Sequence, residues 1–226
     1  MKNVTTKQLT TAAMLIALST AISLVCALIP FLNLPFGGGF TIAGMLPVVL
    51  ISYLYGVPFG LCSAFLYALI QVVLGMFGDG YVISLFTIGS DDYMGIAAGI
   101  GVLVLDYLIA YTVLGFGGAF RRRGAWGLVF GVLLALSLRY LVHIVSGVIF
   151  FGTWAEWFFS QEGFYAIGQV ILDHISGFWL SLIYAVFYNG LYMIPEIVIT
   201  AICARVVAEI PMIRQVAQQN KRRKKA

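Results

Sequence analysis

The sequence predicts an all-α, polytopic membrane protein with six transmembrane helices and both termini on the cytoplasmic side. Three observations predict it. Apolar residues make up 62% of the 226-residue chain and charged residues 10%, against about 45–50% and about 25% in a soluble domain. Too few polar side chains remain to cover a globule of this size in water. The apolar residues fall in long continuous runs, as spanning helices require, and not in the alternating segments of a membrane β-barrel. The 22 charges (13 basic, 9 acidic) mostly gather in the breaks between those runs. The whole of 1–226 reads as a single integral membrane domain, with 1–7 as a cytoplasmic N-terminus and 210–226 as a basic cytoplasmic tail.

A helix crossing the hydrocarbon takes about 20 apolar residues, so the chain has room for at most about eight. Runs at 8–30, 43–56, 59–77, 94–119, 126–152 and 185–209 read as the spans. The second is short, and Pro47 near its start puts that boundary in question. Basic residues favour the cytoplasmic side. Lys2 and Lys7 precede the first run, Arg121, Arg122 and Arg123 follow the fourth, and Arg205, near the end of the sixth, and Arg214 lead into the cluster Lys221, Arg222, Arg223, Lys224, Lys225. With the N-terminus inside, the connections near 57, 122 and 214 are inside. Those at 31–42, 78–93 and 153–184 hold no Lys or Arg and are outside. The acids Asp79, Asp91, Asp92, Glu156 and Glu162 collect there. A seventh span at 169–184 would put the basic tail outside. That stretch is short and carries Asp173 and His174, so it reads as an interfacial or partly buried outer helix.

The tail is read as a topology anchor and not as a nucleic-acid site. Cys26, Cys62 and Cys203 lie in spans without metal-like spacing and read as buried small hydrophobes. No Gly is followed by Lys, so a phosphate loop of the Walker A type is absent, as are H-E-x-x-H, C-x-x-C and G-x-S-x-G. Enzyme is therefore the weaker class, and no cofactor or metal is expected. A chain of this kind that moves a solute uphill takes its energy from an ion gradient or from another subunit.

Ionisable groups at membrane depth are costly and are functional candidates by default. Asp106 lies midway along the fourth span. Arg139 and His143 are four apart on the fifth, hence on one helix face. Tyr184 and Asn189 open the sixth, followed by Pro195 and Glu196. These groups either pair with one another, for instance Arg139 with Asp106, and fix helix packing, or they form a site. As a site they suit a small organic cation with hydrogen-bonding edges: Asp106 neutralises the charge, aromatic faces stack on rings, and His143 and Asn189 set orientation. Arg139 either pairs with a carboxylate or caps backbone carbonyls. In the first span Ala13, Ala17 and Ala21 line one face with small side chains that admit a close helix. The run Gly37, Gly38, Gly39 serves either a hinged lid or a tight turn.

Four blocks in order along 40–196 resemble one family. Gly-Gly-Gly-Phe-Thr ending at Thr41, followed by Met45-Leu46-Pro47, is similar to the loop opening the second helix of thiamine-specific S components of energy-coupling factor (ECF) transporters. Leu105-Asp106-Tyr107 with Ala110-Tyr111 resembles that family's fourth-helix acidic-Tyr motif. Arg139-x-x-x-His143-x-x-Ser146-Gly147 resembles its fifth-helix signature. Tyr184, Asn189-Gly190, Tyr192-Met193 and Pro195-Glu196 resemble the signature opening its sixth.

The resemblance implies a six-helix protein of the bacterial plasma membrane that binds thiamine at its outer face, without an ATPase of its own. Its partners would be an ECF transmembrane coupling subunit and two ATP-binding cassette ATPases. By position, Asp106 would face the thiazolium ring with Tyr107 beside it, and His143, Gly147, Tyr184 and Asn189 would line the pocket. Ala13, Ala17 and Ala21 would be the stripe that docks on the coupling subunit. The chain also departs from the family pattern. Asp106 stands where Glu is usual, and Phe151 where Trp is frequent, with Trp154 available as the stacking face. Segments 78–93 and 153–184 are long for the family. Phe36 and Phe40 are the rings available in the first outer loop. Two other readings remain: an S component for a thiamine precursor or another vitamin, and a stand-alone ion-coupled carrier. A ligand-free membrane scaffold is a third class.

Overall fold

The computed structural model describes residues 4–34 and 38–222. Lys2, Phe36, Gly37, Arg223, Lys224 and Lys225 lie outside the described residues. Among the described residues, five helical segments are long and apolar enough to cross a bilayer: α1 (Thr6–Ala27), α3 (Val57–Phe77), the composite fourth span (Gly95–Arg123), α7 (Ala125–Phe150) and α10 (Gly177–Val207). The shorter apolar α2 (Leu46–Tyr55) is the sixth.

At 1.5 Å per residue α2 is only about 15 Å long, half the hydrocarbon thickness. It tolerates this because most of it is buried in protein. Val48, Val49, Ile51 and Tyr53 are wholly buried among α1, α3, α7 and the fourth span. Irregular backbone at membrane depth is viable only where protein satisfies it. Here Ser52 Oγ donates to Gly115 O and accepts from Gly118 N–H at 2.8 Å, and Tyr53 OH donates to Gly124 O at 2.9 Å. Pro47 sits in the first turn, where its missing N–H costs nothing. The fourth span reaches α7 by a glycine crossing. A Cβ on Gly131 would lie 1.9 Å from Gly117 O, so any side chain there would force the helices apart.

Turns and helix directions give the bundle two distinct ends. At one, Arg121 donates to Leu54 O at 2.8 Å. The amphipathic α11 (Pro211–Arg222) packs there against Arg121–Arg123. At the other lie the turn around Gly38 and Gly39, the short α4 (Tyr81–Ser84), α8 (Ala155–Phe159) and α9 (Tyr165–His174). The glycine run forms a tight turn in its described part: Leu34 N–H donates to Gly38 O at 2.9 Å, and Phe40 N–H to Leu32 O at 3.1 Å.

Three expectations need correction. The last span begins at Gly177, eight residues before the expected 185. The single outer helix expected over 169–184 is instead α9, ending at His174, and the first turns of α10. The break is Ser176, whose extended backbone stops one helix and starts the next. Of the three cysteines, Cys26 is buried, but Cys203 is half-buried and Cys62 is exposed on α3.

Candidate ligand-binding site

The fourth span changes helix type where its chemistry lies. After α5 (Gly95–Val102) it runs as a π-helix over Leu103–Ile109, returns to α in α6 (Ala110–Thr112), and tightens to 3-10 over Val113–Gly118. Asp106 and Tyr107 both lie in this π-segment, and π-segments of this kind concentrate at functional sites.

Asp106 is held on both oxygens. His143 Nδ1 lies 2.8 Å from Oδ1, and Ser146 Oγ donates to Oδ2 at 2.6 Å. The two partners are three residues apart on α7, so one helix face carries both. The Asp106 side chain keeps 18% of its exposure, all that is left to a ligand. Arg139, one turn earlier on α7, donates from Nε to His143 Nε2 at 3.1 Å. Its guanidinium lies over the Tyr111 ring, 4.0 Å from the centroid, and its Nη1 meets Met45 Sδ at 2.7 Å. Arg139 thus neither pairs directly with a carboxylate nor caps a carbonyl among the described contacts; it reaches Asp106 through His143.

Asn189 is the matching fixture on α10. Its Nδ2 donates to His143 O at 3.2 Å and to Ala185 O at 2.8 Å, while Tyr192 OH donates to its Oδ1. Tyr184, Tyr188 and Tyr192 recur every four residues and form one aromatic face on α10. Ring centroids are 5.5 Å apart for the first pair and 6.3 Å for the second. Phe158 from α8 closes on Tyr184 and Tyr188 at 5.4 and 5.7 Å.

Asp106, Arg139, His143, Asn189 and the three α10 tyrosines line one cavity of about 960 Å³, near the top of the range for small-molecule sites. All eight candidate residues meet there: Asp106, Tyr107, His143, Gly147, Phe151, Trp154, Tyr184 and Asn189. Phe40, offered for the first outer loop, does not line it. Sequence reasoning missed Tyr111, Tyr188, Tyr192 and Trp157, which do. Tyr188 and Tyr192 stand at four-residue spacing from Tyr184, and Tyr111 at four from Tyr107, a pattern of little weight in a chain that is 15% aromatic. Trp157 carried no signal, because the α8 register is not legible without the fold. The mouth is acidic. Asp79 accepts from Tyr81 N–H at 3.0 Å, and Asp92 from Ser84 Oγ at 3.0 Å. Burial, with the Asp106 and Asp92 carboxylates nearby, pushes the Tyr81 phenol up, so it stays protonated at neutral pH.

A bundle of apolar helices around a polar, aromatic cavity open at one end defines a membrane transport protein that binds a small solute. The chain belongs to the thiamine transporter protein family (Thia_YuaJ), which matches residues 10–172. Thiamine transporter ThiT of Bacillus subtilis (strain 168) is 28% identical over 201 residues, spanning 83% of this chain and 84% of that protein. The chain is therefore a multi-pass cell-membrane protein of thiamine transport and not an enzyme, and the resemblance to thiamine-specific S components holds. Tyr184 and Asn189 lie beyond the family match, yet the fold sets them in the same cavity.

Proposed function

We propose that the whole chain acts as one integral membrane domain, with both termini in the cytoplasm, that receives thiamine in this cavity from outside. It would hand thiamine inward while docked on an ECF transmembrane coupling subunit driven by two ATP-binding cassette ATPases. The arrangement of Asp106 carries the reading. Its carboxylate is oriented by His143 and Ser146 and edged by tyrosine rings. Such a pair of features suits an aromatic cation: the carboxylate offsets the thiazolium charge, and rings stack on its faces. Asn189 Oδ1, which accepts from Tyr192 OH, keeps a second lone pair for an aminopyrimidine, while His143, with both ring nitrogens engaged, orients Asp106. The basic end, with Arg121, Arg122, Arg123 and Arg214, supports the cytoplasmic assignment.

Calorimetric titration of the purified full chain with thiamine tests this. Tight binding is expected without ATP or sodium. Asp106→Asn keeps the shape and removes the charge. It should weaken binding about 10- to 150-fold, the value of a charged hydrogen bond of about 1.5–3 kcal/mol. Failure of the unaltered chain to bind thiamine would overturn the reading, and an unchanged Asp106→Asn affinity would take Asp106 out of the site.

A further inference from the structure

From the Arg139–His143–Asp106 contacts we infer that Arg139 is a positioning residue: it holds His143 neutral, as the Nδ1–H tautomer, and so preserves the Asp106 charge for the ligand. The inference deepens the proposed thiamine site and rests on Asp106 and His143 being part of it.

An arginine Nε always carries its proton and can only donate. Arg139 Nε points at His143 Nε2 from 3.1 Å, so that ring nitrogen must offer its lone pair. The one proton of the neutral ring is then on Nδ1, which faces Asp106 Oδ1 at 2.8 Å, an obligate acceptor. Both bonds are satisfied by one tautomer and by no other protonation state. An imidazolium would set an Nε2–H against the Arg139 Nε–H, two donors with no acceptor between them.

A histidine touching a carboxylate usually gains a proton from the contact. Here the opposite is useful. The charged groups around the ring are Asp106 from the fourth span, Arg139 on its own helix, and Glu196 on α10, which interacts with Arg139. Tyr192 sets its ring 5.9 Å from that of His143, and Tyr111 lies against Arg139. With His143 neutral, Asp106, Arg139 and Glu196 sum to one negative charge, which a monocation cancels. With His143 protonated the sum is already zero, and a cation would meet no net attraction. Arg139 cannot drift from this duty. It is 6% exposed, stacked on Tyr111 and wedged against Met45.

The chain has two histidines, so ¹⁵N-histidine labelling of the full-length protein in a His174→Gln background leaves one ring to observe. Its nitrogen shifts at pH 5.5 and 7.5 should report a protonated Nδ1 and a bare Nε2 at both. Arg139→Met, of similar length but without donors, should release the ring to become an imidazolium at pH 5.5. The same variant should lose at least tenfold more thiamine affinity between pH 7.5 and 5.5 than the parent loses. Arg139→Lys, which retains a donor, should restore the parent spectrum. A protonated Nε2 in the parent overturns the inference whether or not any variant folds, as does an Arg139→Met spectrum identical to the parent. Parent shifts as expected without thiamine binding would instead sink the proposed ligand and leave the tautomer assignment standing.

Discussion

Thr41 and Glu196, 155 positions apart, are joined by the backbone N–H and the hydroxyl of Thr41, both donated to the Glu196 carboxylate. The hydroxyl lies 2.9 and 2.8 Å from the two oxygens, Thr200 Oγ1 adds a third donor at 3.1 Å, and the carboxylate is 1% exposed. This clasp ties the turn bearing Gly38 and Gly39, which edges the cavity, to the last span.

Glu196→Gln tests the clasp. Its amide nitrogen would face donors with a donor and strand a buried N–H or hydroxyl. The cost is about 1–3 kcal/mol, read as a lower thermal midpoint in detergent, with weaker thiamine binding as the turn loosens. An unchanged midpoint would mean that the clasp carries no stability.

Gly147 is a binding candidate whose glycine has a packing cause. A Cβ there would lie 2.8 Å from Ala185 Cβ and 3.2 Å from Asn189 Nδ2. Gly147→Ala should cost about 1–3 kcal/mol by overpacking and lower thiamine affinity by displacing Asn189. Ala185→Gly in the same chain should recover most of both losses. Calorimetry and thermal unfolding on the pair of variants check this, and lack of recovery would point to direct contact between ligand and Gly147.

Tyr188 occupies the middle of the α10 aromatic face, against Phe158 and between Tyr184 and Tyr192. If that face stacks on a cationic ring, Tyr188→Ala should lower thiamine affinity about 2- to 30-fold, the range for a cation over an aromatic ring. Tyr188→Phe should retain most of the affinity. Equal losses in both variants would assign the hydroxyl, not the ring, to the ligand.

The six spans were legible because apolar length and basic flanks are one-dimensional signals. The start of α10 was not, since Ser176-Gly177 interrupts the helical pattern by one residue while Phe178, Trp179 and Leu180 resume it. Nor was the π-helix: in an apolar run, α and π turns place equally greasy residues outward. Asp106, His143, Tyr184 and Asn189 stood out as polar groups at depth. Tyr188 and Tyr192 did not, because aromatic residues are 15% of the chain and a further tyrosine carries no weight. The role of Arg139 needed three segments in place, as its partners come from the residue that precedes α2, from α6 and from α7.

The face of α1 that holds Ala13, Ala17 and Ala21 points outward, while Ala12, Ile16 and Ser19 turn inward against the bundle. Packing within this chain therefore does not account for the small side chains. A flat, lipid-facing stripe is what a second helix needs for close approach, and it lies away from the cavity. Ala17→Trp should leave thiamine binding in detergent unchanged and abolish most thiamine uptake by cells that express the coupling subunit and its ATPases. Co-purification of those subunits with the altered chain should fall in parallel. Normal uptake with Trp at this position would exclude the stripe as the docking face, whereas lost binding would mean that α1 supports the cavity itself.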